Sequence, residues 1–175
     1  MIRLMFPLTL FAVMCCVSSI SAQDSVKQSA ALDLAFEKLK DMSGKWKIAN
    51  NPGKLPPGAE IHYRVIGGGS TVVETLFPGT PKEMLSVYHR DGEKLVMTHY
   101  CALGNQPRFE GHVDKKTGNL HFTCVGGCNV NRKKGMHVHS GSYRFINADR
   151  VLSHWEFCSD GKTSGAVDLE LKRIP

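Results

Sequence analysis

The chain has 175 residues, a formal net charge of +6, 42% hydrophobic residues and 22% charged residues. This length is enough for one domain with a single hydrophobic core. The basic residues are scattered and do not form a basic face interleaved with aromatic residues, which argues against a nucleic-acid-binding protein.

The N-terminus has the layout of a secretory signal peptide. One positive charge, Arg3, precedes an apolar run from Leu4 to Val17, and small residues lead to Ala22, where cleavage is expected. The run is shorter than the ~20 residues of a membrane span, and no later segment is long enough. A lipid anchor on Cys15 or Cys16 is an alternative.

Residues 1–22 are therefore predicted to be a signal peptide, and residues 23–175 a single mature domain of 175 − 22 = 153 residues. Arg3 is the only charged residue lost, so the net charge becomes 6 − 1 = +5. We expect a secreted or periplasmic protein without a transmembrane segment in its mature chain.

Only one segment, from Asp24 to Met42, has the apolar spacing of an amphipathic helix. Asp24 or Ser25 is the expected N-cap, and Ser43-Gly44 ends the segment.

From Lys45 onward the apolar period becomes two, and turn residues recur at short intervals. The predicted strands are 45–49, 60–67, 70–77, 83–90, 93–101, 108–114, 118–125, 135–146, 150–159 and 163–172. Sequential antiparallel strands favour an up-and-down β-barrel of about ten strands, because closure removes the exposed sheet edges. A barrel of this size leaves room for a cavity.

Gly44-Lys45-Trp46, directly after the helix, resembles the Gly-x-Trp motif of lipocalins and their calycin relatives. The resemblance implies that Trp46 plugs one end of the barrel. It also implies that Arg173, or the aliphatic part of Lys172, stacks on the indole ring.

A longer resemblance covers most of residues 60–172. It rests on ordered strings: Thr98-His99-Tyr100-Cys101, then Asn105-Gln106-Pro107-Arg108, then Gly135-Met136-His137-Val138-His139-Ser140, and Trp155. Together they resemble a family of exported bacterial proteins of unknown function with a calycin-like organisation. The likeness implies a polar cluster inside the barrel, without indicating a reaction.

Residues two apart on a strand share a face, so alternation groups the candidate side chains. Periodicity alone does not decide which face is internal; the resemblance favours the polar one. The side chains expected in the lumen are His99, His137, His139 and Glu74, with Glu156 or His154 as a companion. They are the predicted ligand-binding groups.

Asn105 and Arg108 follow the strand that carries His99 and are expected near the cavity mouth. An arginine there would bind a carboxylate or phosphate. Alternatively, Asn105 satisfies backbone groups of its turn and Arg108 pairs with Glu110.

His137-x-His139 on one strand face is a common ligand pair for zinc or another transition metal, and His99 would be a third ligand. No acid follows in Ser140-Gly141-Ser142-Tyr143-Arg144, which disfavours a cupin. The alternative is a polar lining without metal, in which the buried imidazoles are hydrogen bonded.

Four cysteines remain after export: Cys101, Cys124, Cys128 and Cys158. Disulfides are the default in an oxidising compartment. Cys124 with Cys128, or Cys101 with Cys158, are candidate pairs, and the spacing does not decide between connectivities.

The sequence therefore predicts a protein that binds a small, partly apolar ligand in a histidine-containing cavity. A metal-dependent enzyme using His99, His137 and His139 is the first alternative. A non-catalytic structural or interaction protein, with a barrel filled by its own side chains, is the second. No nucleophile elbow or phosphate loop is present, so the sequence leans away from an enzyme.

Overall fold

A computed structural model describes residues 16–50, 55, 58–131 and 133–175, with side chains from residue 23 onward. This part of the chain is mainly β, with one helix followed by a closed barrel of ten antiparallel strands. The elements are α1 Cys16–Asp41, β1 Gly44–Ile48, β2 Glu60–Ile66, β3 Thr71–Leu76, β4 Met84–Asp91, β5 Lys94–Tyr100, β6 Gln106–Val113, β7 Leu120–Cys128, β8 Met136–Asn147, β9 Arg150–Ser159 and β10 Lys162–Arg173. The predicted fold class is confirmed.

Each strand pairs with the next one along the chain, and β1 pairs with β10 to close the barrel, with Trp46 opposite Arg173. Tight turns make the hairpins short: Gly92, between β4 and β5, has a φ of 59°, which glycine adopts without steric cost. Alternating apolar side chains then point inward from successive strands, which explains why the period-two pattern predicted the strands.

Helix α1 covers one end of the barrel. Its apolar side chains Leu32, Phe36, Leu39 and Met42 are buried in the same core as the barrel interior. Arg90, at the far end of β4, also ties the helix to the barrel.

Arg90 holds α1 through two contacts: its Nε lies 3.0 Å from Asp33 Oδ1, and its Nη2 donates to Ser29 Oγ at 3.1 Å. Asp24 and Ser25 lie inside α1, which the structure describes from Cys16 onward, so the prediction that one of them caps the helix is wrong. Residues 1–15 of the predicted signal peptide lie outside the described residues.

Trp46 and Arg173 lock the covered end. The indole Nε1 donates to Met42 O at 2.7 Å, and the Arg173 guanidinium lies 4.4 Å from the indole centroid. The same guanidinium donates to Asp41 O and Ser43 O at 2.6 and 2.7 Å. The expected Trp46–Arg173 contact is therefore present. The arginine also caps the C-terminus of α1, because it donates to the carbonyl groups there.

Among the residues described, no helix is both long and apolar enough to cross a membrane.

Candidate functional site

A cavity of about 220 Å³ lies in the half of the barrel away from α1. Strand β4 shows that the cavity and the helix are at opposite ends of the barrel, because the strand runs from Met84 at the cavity to Arg90 at the helix. The lining is apolar at Leu55, Leu76, Phe77, Met84, Val138, Trp155, Phe157, Val167 and Leu169, and polar at Glu74, Ser86, His99 and Cys101.

The polar lining comes from one row of residues across neighbouring strands. Tyr63 is the register partner of Glu74, Glu74 of Ser86, and Ser86 of His99. Register partners lie side by side with their side chains on the same face. Glu74 and His99 point into the lumen, which is the orientation predicted for both, while ligand binding by them stays a prediction.

Three tyrosines surround the Glu74 carboxylate. Tyr63 Oη donates to Oε1 at 2.6 Å, Tyr88 Oη donates to Oε2 at 2.7 Å, and Tyr143 Oη lies 3.1 Å from Oε1. Tyr143 stands on β8, five strands from β3 in either direction round the barrel, so this contact spans the lumen. The cluster fills the barrel at this level and forms the floor of the cavity.

These phenols are hydrogen-bond donors at any ordinary pH. Burial, followed by the negative charge of Glu74, raises the pKa of Tyr63, Tyr88 and Tyr143 well above the usual value. Tyr88 and Tyr143 also share a hydrogen bond of 2.8 Å between their hydroxyl oxygens. The buried carboxylate is therefore held by a connected network of neutral donors.

His99 is the second polar group of the cavity. It is buried, and its Nδ1 lies 3.0 Å from Ser86 Oγ. Burial lowers the pKa of His99 to about 4, so the imidazole is neutral near pH 7. Since Ser86 occupies Nδ1, Nε2 is the ring atom that remains to donate to or accept from a ligand.

Trp155 forms part of the cavity wall because Gly141 leaves room for it. The two residues are register partners on β9 and β8, and a Cβ at position 141 would overlap the indole ring. The indole also makes edge contacts with Phe109 and Tyr143, at centroid distances of 6.4 and 5.7 Å. The aromatic wall is thus continuous with the tyrosine floor.

His137 and His139 do not line the cavity, and the prediction that they join His99 in the lumen is wrong. Strand β8 has an irregularity between Val138 and Ser140, where the register with β9 shifts. A bulge moves the following side chains to the other face. Val138 therefore points into the cavity in place of its two histidine neighbours.

The two imidazoles of β8 instead contact each other, with centroids 5.6 Å apart. The described residues contain no group of three His, Cys, Asp or Glu side chains arranged to hold a metal. The predicted ligand set His99, His137 and His139 is therefore not brought together.

Glu156 and His154 lie on the outer face of β9, because Trp155 and Phe157 take the inner face. Glu156 accepts a hydrogen bond of 2.6 Å from Ser140, which is the main cause of its lowered pKa. His154 has a raised pKa, chiefly through its hydrogen bond to Asp168 at 2.7 Å. The expectation that either one accompanies Glu74 in the lumen is wrong.

Arg108 and Asn105 are also away from the cavity lining. Pro107 and Phe109 are buried on the inner face of β6, so Arg108 points outward, where it lies 3.5 Å from Asp91. The alternative partner, Glu110, instead pairs with Lys94 at 2.7 Å.

Asn105 has a structural contact, although its partner is not in its own turn, where the alternative to a ligand role had it. Its side chain is buried, and Nδ2 donates to Met136 O at 2.8 Å. The contact joins the loop after β5 to the start of β8. Asn105 therefore shapes the wall beside the cavity without lining it.

The predicted disulfides are not confirmed, since the described residues contain none. Cys124 and Cys128 lie on one extended strand, which separates them by roughly 13 Å, whereas a disulfide requires Cα atoms within about 7 Å. Cys101 lines the cavity, but Cys158 is on the opposite face of its strand from Phe157. Burial raises the pKa of the Cys101 thiol, which disfavours a nucleophilic role.

Sequence reasoning missed Tyr63, Tyr88, Tyr143 and Ser86. A signal was present for Tyr63, which has the parity of the buried Ile61 on its strand. A tyrosine buried on an apolar face needs a partner for its hydroxyl group. That requirement could have pointed to Glu74, the acid on the apolar face of β3.

Comparison of the chain with protein-family models and with curated proteins finds no match.

Proposed function

We propose that this protein is an exported binding module that holds one small, mainly apolar molecule in its barrel. Export rests on the charged, apolar and small-residue order of residues 1–22. The cavity with apolar walls and a polar floor is the observation that carries the binding proposal.

The size of the cavity limits the ligand. Drug-sized ligands occupy pockets of roughly 300–1,000 Å³, and an engineered apolar cavity of about 150 Å³ binds benzene. A space of about 220 Å³ suits a substituted benzene ring or an aliphatic molecule of similar bulk. Trp155, Phe77 and Phe157 offer ring faces and edges for such a body.

Binding is favoured over catalysis by the state of the groups in the cavity. The Cys101 thiol has a raised pKa, and the carboxylate of Glu74 is held by tyrosine hydroxyls on both oxygens. Neither group is activated as a nucleophile. A self-filled barrel is disfavoured because the described side chains leave a cavity of about 220 Å³ in the half of the lumen away from α1.

The test is calorimetric titration with neutral probes of suitable size: 2-phenylethanol, cyclohexanol and 1-hexanol. We expect at least one to bind with a Kd below about 1 mM. Val167→Phe should abolish that binding by filling the cavity, whereas Ala166→Phe, which adds the same ring on the outer face of β10, should not.

Because overpacking destabilises some cores, a second filling variant, Met84→Phe, and urea unfolding of every variant accompany the titrations. Absence of binding for all three probes, or unchanged binding in both folded filling variants, would refute the proposal.

A further inference from the structure

The floor of the cavity contains a buried acidic side chain. Glu74 is 3% exposed and is one of the lining residues. Two phenol groups donate to it: Tyr63 to Oε1 and Tyr88 to Oε2.

The carboxylate retains capacity for one more donor. Its two oxygens offer about four acceptor positions. Tyr63 and Tyr143 approach Oε1, and Tyr88 approaches Oε2. Oε2 therefore has one position left, and Glu74 borders the empty space above it.

Nothing in the described part of the chain supplies a counterion. No lysine, arginine or histidine of the described residues forms an ion pair with Glu74. Its neighbours are neutral phenols and the residue Ser86, and the neutral imidazole of His99 lies one strand further, beside Ser86. A buried charge is costly unless it is paired, and hydrogen bonds offset only part of that cost.

The walls suit a cation as well as an apolar body. Trp155, Phe157 and Phe77 line the same cavity, and ring faces attract ammonium groups, tryptophan most strongly. An anion would be repelled by Glu74 in a site where the low dielectric strengthens the repulsion.

We propose that the natural ligand is a small organic cation, an aryl- or alkylammonium compound whose nitrogen donates to Glu74 Oε2. This inference rests on the proposed function and specifies the chemical class of its ligand. The ammonium group supplies the counterion that the described residues do not provide at this site, and the apolar part lies against the aromatic walls.

The experiment compares three compounds with one aromatic body and different charge: 2-phenylethylammonium, 2-phenylethanol and phenylacetate. Each is titrated calorimetrically at pH 7 into the full chain without its signal peptide. We expect the ammonium compound to bind at least tenfold more tightly than the alcohol, and the anion to bind least.

Glu74→Gln should remove the preference for the ammonium compound while binding of the alcohol is retained. Glu156→Gln, which changes a carboxylate on the outer face of β9, is the matched control and should leave all three affinities unchanged. The comparison of the three compounds on wild type needs no variant, so it tests the preference for a cation even if Glu74→Gln does not fold.

Equal binding of the ammonium compound and the alcohol, or a preference that survives Glu74→Gln, would overturn the inference and leave the proposed function standing. Absence of binding for all three compounds and for the other neutral probes would overturn both.

Discussion

His99 should make the stability of this protein depend on pH, and His99→Gln should remove that dependence. Burial holds the folded-state pKa of His99 at about 4, against 6.5 for the unfolded chain. Between these two values the unfolded chain binds a proton that the folded chain does not. The free energy of unfolding must therefore fall as pH decreases through this window, and the loss is complete below about pH 4.

The magnitude follows from the pKa difference. A difference of about 2.5 pH units, at about 1.4 kcal/mol per unit, gives a loss of up to about 3 kcal/mol. That is a large share of the free energy of unfolding of a typical domain, roughly 5–15 kcal/mol. Glutamine is a suitable replacement because it remains polar and can keep a hydrogen bond with Ser86.

The measurement is urea unfolding of wild type and His99→Gln at several pH values from 7 to 4. Carboxylates that titrate in this range are the same in both proteins, so they cancel in the difference between the two free energies. We expect the advantage of wild type over the variant to shrink by up to about 3 kcal/mol as pH falls.

His154→Gln provides a contrast of opposite sign. The hydrogen bond to Asp168 raises the folded-state pKa of His154, so its contribution is present at low pH and is lost as pH rises through that raised value. If the unfolding free energies of wild type and His99→Gln stay parallel from pH 7 to 4, the reasoning about His99 is refuted.

Three further substitutions test the packing of the barrel by urea unfolding. Tyr143→Phe removes the hydroxyl that links opposite walls through its contact with Glu74, and it should cost about 1–2 kcal/mol. A neutral result would show that this contact does not stabilise the fold. Gly141→Ala places a Cβ against the indole of Trp155 and should lower the free energy of unfolding by roughly 1–3 kcal/mol. The tryptophan emission of the variant should change as well. An unaltered spectrum and unfolding midpoint would contradict the close packing of Trp155 on Gly141. Arg173→Ala should lower the free energy of unfolding by about 2–3 kcal/mol, because its cation–π and hydrogen-bond contacts are lost. Lys172→Ala, at the exposed neighbouring residue, should lower it by under ~0.5 kcal/mol. Equal losses would show that the arginine does not stabilise this end of the barrel.

The barrel itself could be predicted because its causes are local. A period of two in apolar residues and glycine or aspartate at the turns act within a few residues, and they placed all ten strands. The contact between Trp46 and Arg173 was expected from a resemblance and is formed by the pairing of the first strand with the last.

The histidine cluster could not be predicted correctly, because the inner face of β8 changes at one irregularity. A single extra residue near His139 reverses the faces on one side of it. Alternation grouped His137 and His139 with Tyr143, yet only Tyr143 points inward. Nothing local marks the shift, since it depends on how β8 pairs with β9.

The amino-acid sequence alone thus predicted which residues form strands, how the strands follow one another, and that Glu74 shares a strand face with apolar neighbours. The tertiary structure decided which polar groups meet. Glu74 and Tyr143 are 69 residues apart and reach each other only because ten strands close into a ring with β3 opposite β8. Closure and register are properties of the whole sheet, and hydrogen bonds across the lumen depend on both.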